Sequence, residues 1–211
     1  MIKSISFTIV GILLACGVEA KKIDGTIIFR NDTVSVTFNV PFKFLSQTPN
    51  YEKLQSKIKF YDSSGKKVKI RPDEAKEISF NHRDENIRML SRPNTLAYKN
   101  IFSTNNNIFL KLEIDGDLKL FKHHFTRTSS QPMPGAGGST MMVSNSYAVE
   151  RYILQKGTGQ LKQPKELSFR KDMMEYFSDC PALVEKIENR ELRARDIKTI
   201  VNMYNSSCKK R

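Results

Sequence analysis

Lys57-Ile58-Lys59-Phe60-Tyr61-Asp62-Ser63-Ser64-Gly65-Lys66-Lys67-Val68-Lys69-Ile70-Arg71 is the stretch whose reading decides the fold. Ile58 and Phe60 alternate with Lys57 and Lys59; Val68 and Ile70 alternate with Lys67, Lys69 and Arg71. A period of two belongs to a strand with one buried face. Asp62-Ser63-Ser64-Gly65 is a turn signal, so the stretch predicts a β-hairpin with an apolar side and a side carrying five cations.

The same period extends in both directions. Towards the N-terminus, Val34, Val36, Phe38 and Val40 alternate with Ser35, Thr37 and Asn39 until Pro41 ends the run. Ile23 to Phe29 predicts a further strand, with Asn31-Asp32 as its turn. Residues 42–53 read as irregular. Towards the C-terminus, Pro72-Asp73-Glu74 turns the chain. Strands are predicted over Glu77–Phe80 and, weakly, near Ile87–Leu90, with an Asn-rich loop at 105–107. Asn81 to Glu85 reads as a surface turn. Ile108, Leu110, Leu112 and Ile114 alternate, Asp115-Gly116 is a hairpin signal, and Leu118 and Leu120 continue beyond it. Residues 128–146, rich in Ser, Gly and Pro, read as a long mobile loop before a strand over Tyr147–Leu154.

From Lys165 the spacing becomes helical. Ser168 predicts the start of a helix over Phe169–Phe177, with Met173 and Phe177 on one face. Asp179 is placed to cap a second, with Pro181 in its first turn and Leu183 and Ile187 as its stripe. Ile197, Ile200, Val201 and Tyr204 predict a third. The expected fold class is α+β: an antiparallel β sheet or small sandwich over 21–164, followed by three short helices over 165–211.

Met1-Ile2-Lys3-Ser4 is a short positive start, and Ile5 to Ala15 is almost wholly apolar. That run would be roughly 16 Å long as a helix, too short for a hydrocarbon core of about 30 Å. Residues 1–20 therefore read as a signal peptide. Val18-Glu19-Ala20 suits cleavage before Lys21. Alternatively, Leu13-Leu14-Ala15-Cys16 resembles a lipobox and would leave Cys16 as a lipidated N-terminus. No later stretch has the length of a span, so no transmembrane segment is expected in the mature chain. The expected location is periplasmic or extracellular, or the envelope itself through Cys16.

Beyond Cys16 the folded part keeps two cysteines, Cys180 and Cys208. Cys180 opens the second predicted helix and Cys208 follows the third, and antiparallel helices would bring these ends together. An oxidising compartment permits a disulfide. Two free thiols remain open, as does a metal site, which would need further ligands; the nearest histidines in sequence are His123 and His124.

The 211 residues carry a formal charge of +13. Lys3 and Glu19 cancel within the signal, so the mature chain keeps that charge, which favours anionic partners. An exported chain rarely meets nucleic acid, so none is expected. Lys57, Lys59, Lys67, Lys69 and Arg71 are the candidate anion-binding residues; a solvated edge that resists sheet-to-sheet pairing would look the same. No catalytic, metal or nucleotide motif emerges and no cofactor is expected. His82 and His123-His124 lack spaced partners, and the Gly135–Thr140 run lacks the lysine of a phosphate loop. The leading expectation is a non-catalytic envelope module that binds an anionic polymer, a lipid head group or a protein partner. The alternative is a hydrolase or other enzyme with a site assembled from scattered residues.

Tyr176-Phe177-Ser178-Asp179-Cys180-Pro181, Leu183-Val184-Glu185-Lys186-Ile187 and Tyr204-Asn205 with Cys208 resemble uncharacterised exported proteins of Bacteroidota-type bacteria. These join a β-rich domain to a C-terminal helical segment with an Asp-Cys-Pro and a Tyr-Asn…Cys signature. The resemblance implies an envelope location and supports the cysteine pair; it implies no activity.

Overall fold

The computed structural model describes residues 20–43, 46–96, 106–134 and 139–208. Residues 1–19 of the expected signal peptide, Cys16 among them, lie outside the described residues, and Ala20 begins the first strand. The expected α+β class is what the chain adopts, with a single sheet rather than a sandwich. Nine strands are β1 Ala20–Ile28, β2 Thr33–Pro41, β3 Ile58–Tyr61, β4 Lys67–Ile70, β5 Glu77–His82, β6 Glu85–Pro93, β7 Asn107–Ile114, β8 Leu118–Pro134 and β9 Thr140–Lys156. They lie in the order β4-β3-β2-β1-β5-β6-β7-β8-β9. All neighbours are antiparallel, and every pair except β1–β5 joins strands consecutive in the sequence.

The alternating apolar residues of β1–β7 build one core: Ile27, Phe38, Val40, Ile58, Ile70, Ile78, Phe80, Ile87, Met89 and Phe109 are all buried on one side. Gly25 makes the centre of this core possible. Phe38 and Phe80 meet edge-on, 6.0 Å between centroids, across the strand that carries Gly25. A Cβ there would lie 2.2 Å from the Ser79 carbonyl oxygen and 2.8 Å from the Phe38 ring.

Residues 42–53, expected to be irregular, in fact lead into a helix, α1 Tyr51–Ser56. Six residues cannot hold a helix alone. Asn50 accepts a hydrogen bond from the Lys53 N–H at 3.2 Å, and Leu54 is buried in the core. The buried Gln55 amide donates to the His124 carbonyl and accepts from the His124 N–H, both at 2.7 Å. It thus satisfies β8 where β7 no longer runs beside it.

The three predicted helices are α2 Phe169–Tyr176, α3 Pro181–Glu188 and α4 Ile197–Ser207. They share a second core: Phe169, Met173, Phe177, Leu183, Ile187, Ile197, Ile200 and Val201 bury Leu118, Leu120 and Leu154 of β8 and β9. On the other side of the sheet, Leu90, Leu110, Phe121 and Ile153 form a third cluster with Leu96. The cap of α3 differs from expectation. Cys180 is its N-cap and Pro181 its first residue, and the Asp179 carboxylate instead accepts from Lys156 and Tyr204.

The largest departure is 128–146. The described part of that expected loop is strand, paired without a break from Leu118↔Lys156 to Pro134↔Thr140; residues 135–138 lie outside the described residues. Hydroxyls pair across the two strands, Thr128 with Ser146 at 2.9 Å and Ser130 with Ser144 at 2.8 Å. Proline has no N–H to give a ladder, so Pro132 and Pro134 fit at positions whose nitrogen faces the outer edge.

Candidate functional site

Register assembles the basic hairpin into a wider surface. Lys22 of β1 lies opposite Asn39, Asn39 opposite Lys59, and Lys59 opposite Lys69, so four strands place their side chains in one row on the side away from the Phe38 core. The next row is Asp24, Thr37, Tyr61 and Lys67. Lys57 and Arg71 stand just outside the ends of β3 and β4. All six cations are exposed, and none makes an ion pair among the described residues.

Asp24 is the only carboxylate in β1–β4, and it accepts from the Thr37 hydroxyl at 2.7 Å. Tyr61 lies between two ammonium groups, Lys22 at 4.7 Å and Lys67 at 5.4 Å from its ring centre. Lys59 directly opposite Lys69 is a like-charge pair, which costs stability unless an anion sits between. Sequence reasoning missed Lys22. Its period-two neighbours were visible, but its row is set by the β1–β2 register.

A second cluster of ionisable groups lies under α1 and beside α4. Lys111 Nζ is 2.7 Å from Glu85 and 3.1 Å from Glu113. Glu113 also meets Lys198 at 3.1 Å. Burial works against the Glu113 charge, yet Lys111 and Lys198 hold its carboxyl below the usual range. Burial pushes the Tyr51 hydroxyl up to about 12. His124 stacks on Tyr51 at 4.7 Å, while His123 stacks on Phe125 at 5.2 Å on the opposite side of β8. Burial holds both imidazoles at about 4, so they are neutral at pH 7. His82 packs against Phe42, 5.0 Å between centroids, in the first core. The three histidines therefore do not converge. Among the described residues no group of three His, Cys, Asp or Glu could hold a metal ion. A cleft of about 630 Å³ is lined by Arg30, Asp73, Glu77 and Arg92, with both signs of charge and no histidine.

The residues on which the sequence resemblance was drawn have structural work. Cys180 and Cys208 are bonded, with Cα atoms 5.4 Å apart. Asp179 accepts from the Tyr204 hydroxyl and from Lys156 Nζ, each at 2.6 Å. The Lys156 ammonium also lies 4.7 to 5.3 Å from the ring centres of Tyr176, Phe177 and Tyr204. The Asn205 amide exchanges two hydrogen bonds with the Leu118 backbone, at 2.8 and 2.9 Å. Asp179, Cys180, Tyr204, Asn205 and Cys208 thus fasten the helices to one another and to β8 and β9.

Comparison with family models, curated proteins and solved structures finds no match for this chain.

Proposed function

We propose that the protein is an exported, non-catalytic binding module of the cell envelope, and that the basic sheet face binds an anionic polymer. One observation carries the reading: Lys22, Lys59 and Lys69 share a row, with Lys67, Lys57 and Arg71 around them and Asp24 as the one carboxylate of these strands. Lysine ammonium groups on a rigid sheet suit phosphate or carboxylate groups spaced along a chain, held as point charges rather than by bidentate geometry. Asn39 and Thr37 supply neutral hydrogen-bonding groups between them. Export is supported by the disulfide and by the apolar stretch at the start of the sequence. Among the described residues no helix is long and apolar enough to cross a membrane. The enzyme alternative has less support, since the exposed Glu85 and the buried Glu113 are each engaged by an ammonium group.

The test is retention on immobilised lipopolysaccharide across a salt series. Wild-type protein should be held at low salt and released as the Debye length falls below about 8 Å. The K59E/K69E variant should pass through unretained with an unchanged melting temperature, because both side chains point to water. Retention that ignores salt, or no retention of the wild type, would make the face a solvated edge.

A further inference from the structure

The β8–β9 pair runs on well beyond the sheet. β7 accompanies β8 only from Leu120 to Lys122, and α1 only as far as Thr126, whose N–H and hydroxyl bind Glu52 at 3.0 and 2.7 Å. Among the described residues, Arg127–Pro134 and Thr140–Ala148 are exposed throughout except for Ser129, and the two strands pair there only with each other. Eight strand residues extend about 27 Å. A lone two-stranded ribbon is marginal in water. This one also carries apolar residues there: Met133, Met141 and Met142 are 51%, 60% and 64% exposed, and Val143 and Tyr147 are exposed as well.

The register sorts these residues. Met133 lies opposite Met141, Gln131 opposite Val143, and Arg127 opposite Tyr147, all on one side. The other side holds the Thr128–Ser146 and Ser130–Ser144 hydroxyl pairs, with Met142 near the end. Residues 126–149 contain no Asp or Glu, and the whole chain carries +13. Pro132 and Pro134 withhold donors from the outer edge of β8. That edge is therefore a poor template for a strand of a second copy, and it leaves fewer N–H groups unsatisfied outside water.

We propose that this ribbon is a membrane-contact arm. Met133, Met141, Met142 and Val143 enter the boundary between head groups and acyl chains of an anionic bilayer. Tyr147 and Arg127 sit at head-group level, where an amphipathic ring and a snorkelling cation are both accommodated. The unpaired backbone edges limit the arm to the interface, since hydrocarbon would leave their groups unsatisfied. The charge fits: an apolar end, arginine behind it and no carboxylate match a surface of anionic lipid. This surface is separate from the Lys59–Lys69 face, and its contact is partly apolar.

The full chain contains no Trp, so Met142→Trp supplies a single fluorescent reporter. Vesicles of phosphatidylcholine and phosphatidylglycerol at 3:1 are titrated into this variant. Its emission should shift to the blue, and lipids brominated in the upper acyl chain should quench it. Adding M133S, M141S and V143S should weaken vesicle affinity by about tenfold or more, through lost apolar contact. The melting temperature should not move, because these side chains touch no core. K59E/K69E should keep the quenching even where it abolishes retention on polymer, so the two proposals fail separately. A reporter that stays in water while the protein binds vesicles overturns the arm, as does the absence of vesicle binding at low salt. A blue shift without lipid that grows with protein concentration also overturns it, and assigns the ribbon to a second copy.

Discussion

Replacing Cys180 and Cys208 by Ala removes the covalent link between the start of α3 and the end of α4. The bond closes a loop with a sequence separation of 28. On the chain-entropy model such a loop takes about 12 cal/mol/K from the unfolded chain, or about 3.6 kcal/mol at 25 °C. The folded state should change little, because Tyr204 still donates to Asp179 at 2.6 Å and Asn205 still pairs with Leu118. Cys180 is 5% exposed, so Ala leaves a small void there and the loss should not fall below about 3 kcal/mol. Urea unfolding followed by circular dichroism measures it. With a slope of about 2 kcal/mol/M, the midpoint should drop by almost 2 M. A loss under about 1 kcal/mol would refute the reasoning, by showing that the two ends stay close without the bond. Two separate transitions would refute it differently, since the helices would then not unfold together with β8 and β9.

Gly25→Ala should cost about 1–3 kcal/mol, since the new methyl meets backbone that cannot swing aside. A melting temperature equal to that of the wild type would disprove the tight passage between Phe38 and Phe80. Acid should destabilise the protein in two windows. His123 and His124 titrate at about 4 when folded, against 6.5 ordinarily, so the unfolded chain binds more protons between these values. Stability is therefore present above pH 6.5 and lost as the pH falls towards 4, by roughly 3 kcal/mol for His123, with His124 beside Glu150 adding in the same direction. Glu113 and Asp179, held low, add their losses only below the usual carboxylate range. Thermal melts from pH 7 to 4.5 should show the first window, and His123→Phe should shallow it; a flat profile would contradict the burial of these rings.

The hairpins were legible because Ile58, Phe60, Val68 and Ile70 face a core and their neighbours do not. The helices from Phe169 onward were legible because their stripes repeat every three or four residues. α1 was not. Its stability lies in Leu54 and in the pairing of Gln55 with the His124 backbone, 69 residues away, and no local pattern announces such a partner. The ribbon was misread because Pro, Gly and Ser report what a residue prefers alone. Its strands persist by continuing the β8–β9 register, with proline confined to the free edge. Half of the basic face was visible as one hairpin; the row through Lys22 needed strand order. The roles of Asp179, Tyr204 and Asn205 were hidden because Lys156 and Leu118, their partners, belong to the β half.

The strand order carries a kinetic consequence. Seven of the eight strand pairings join strands consecutive in the sequence, and five of these seven close quickly because their connections are five residues or fewer. The pairing of β1 with β5 is the exception: Gly25 must find Phe80 across 55 positions of chain, with β2, α1, β3 and β4 between them. Two meanders, β1–β4 and β5–β9, can therefore form early and independently. The slow event is zipping them along this one join. The residue without a side chain lies there, where two preformed halves have to slide into place against each other's rings.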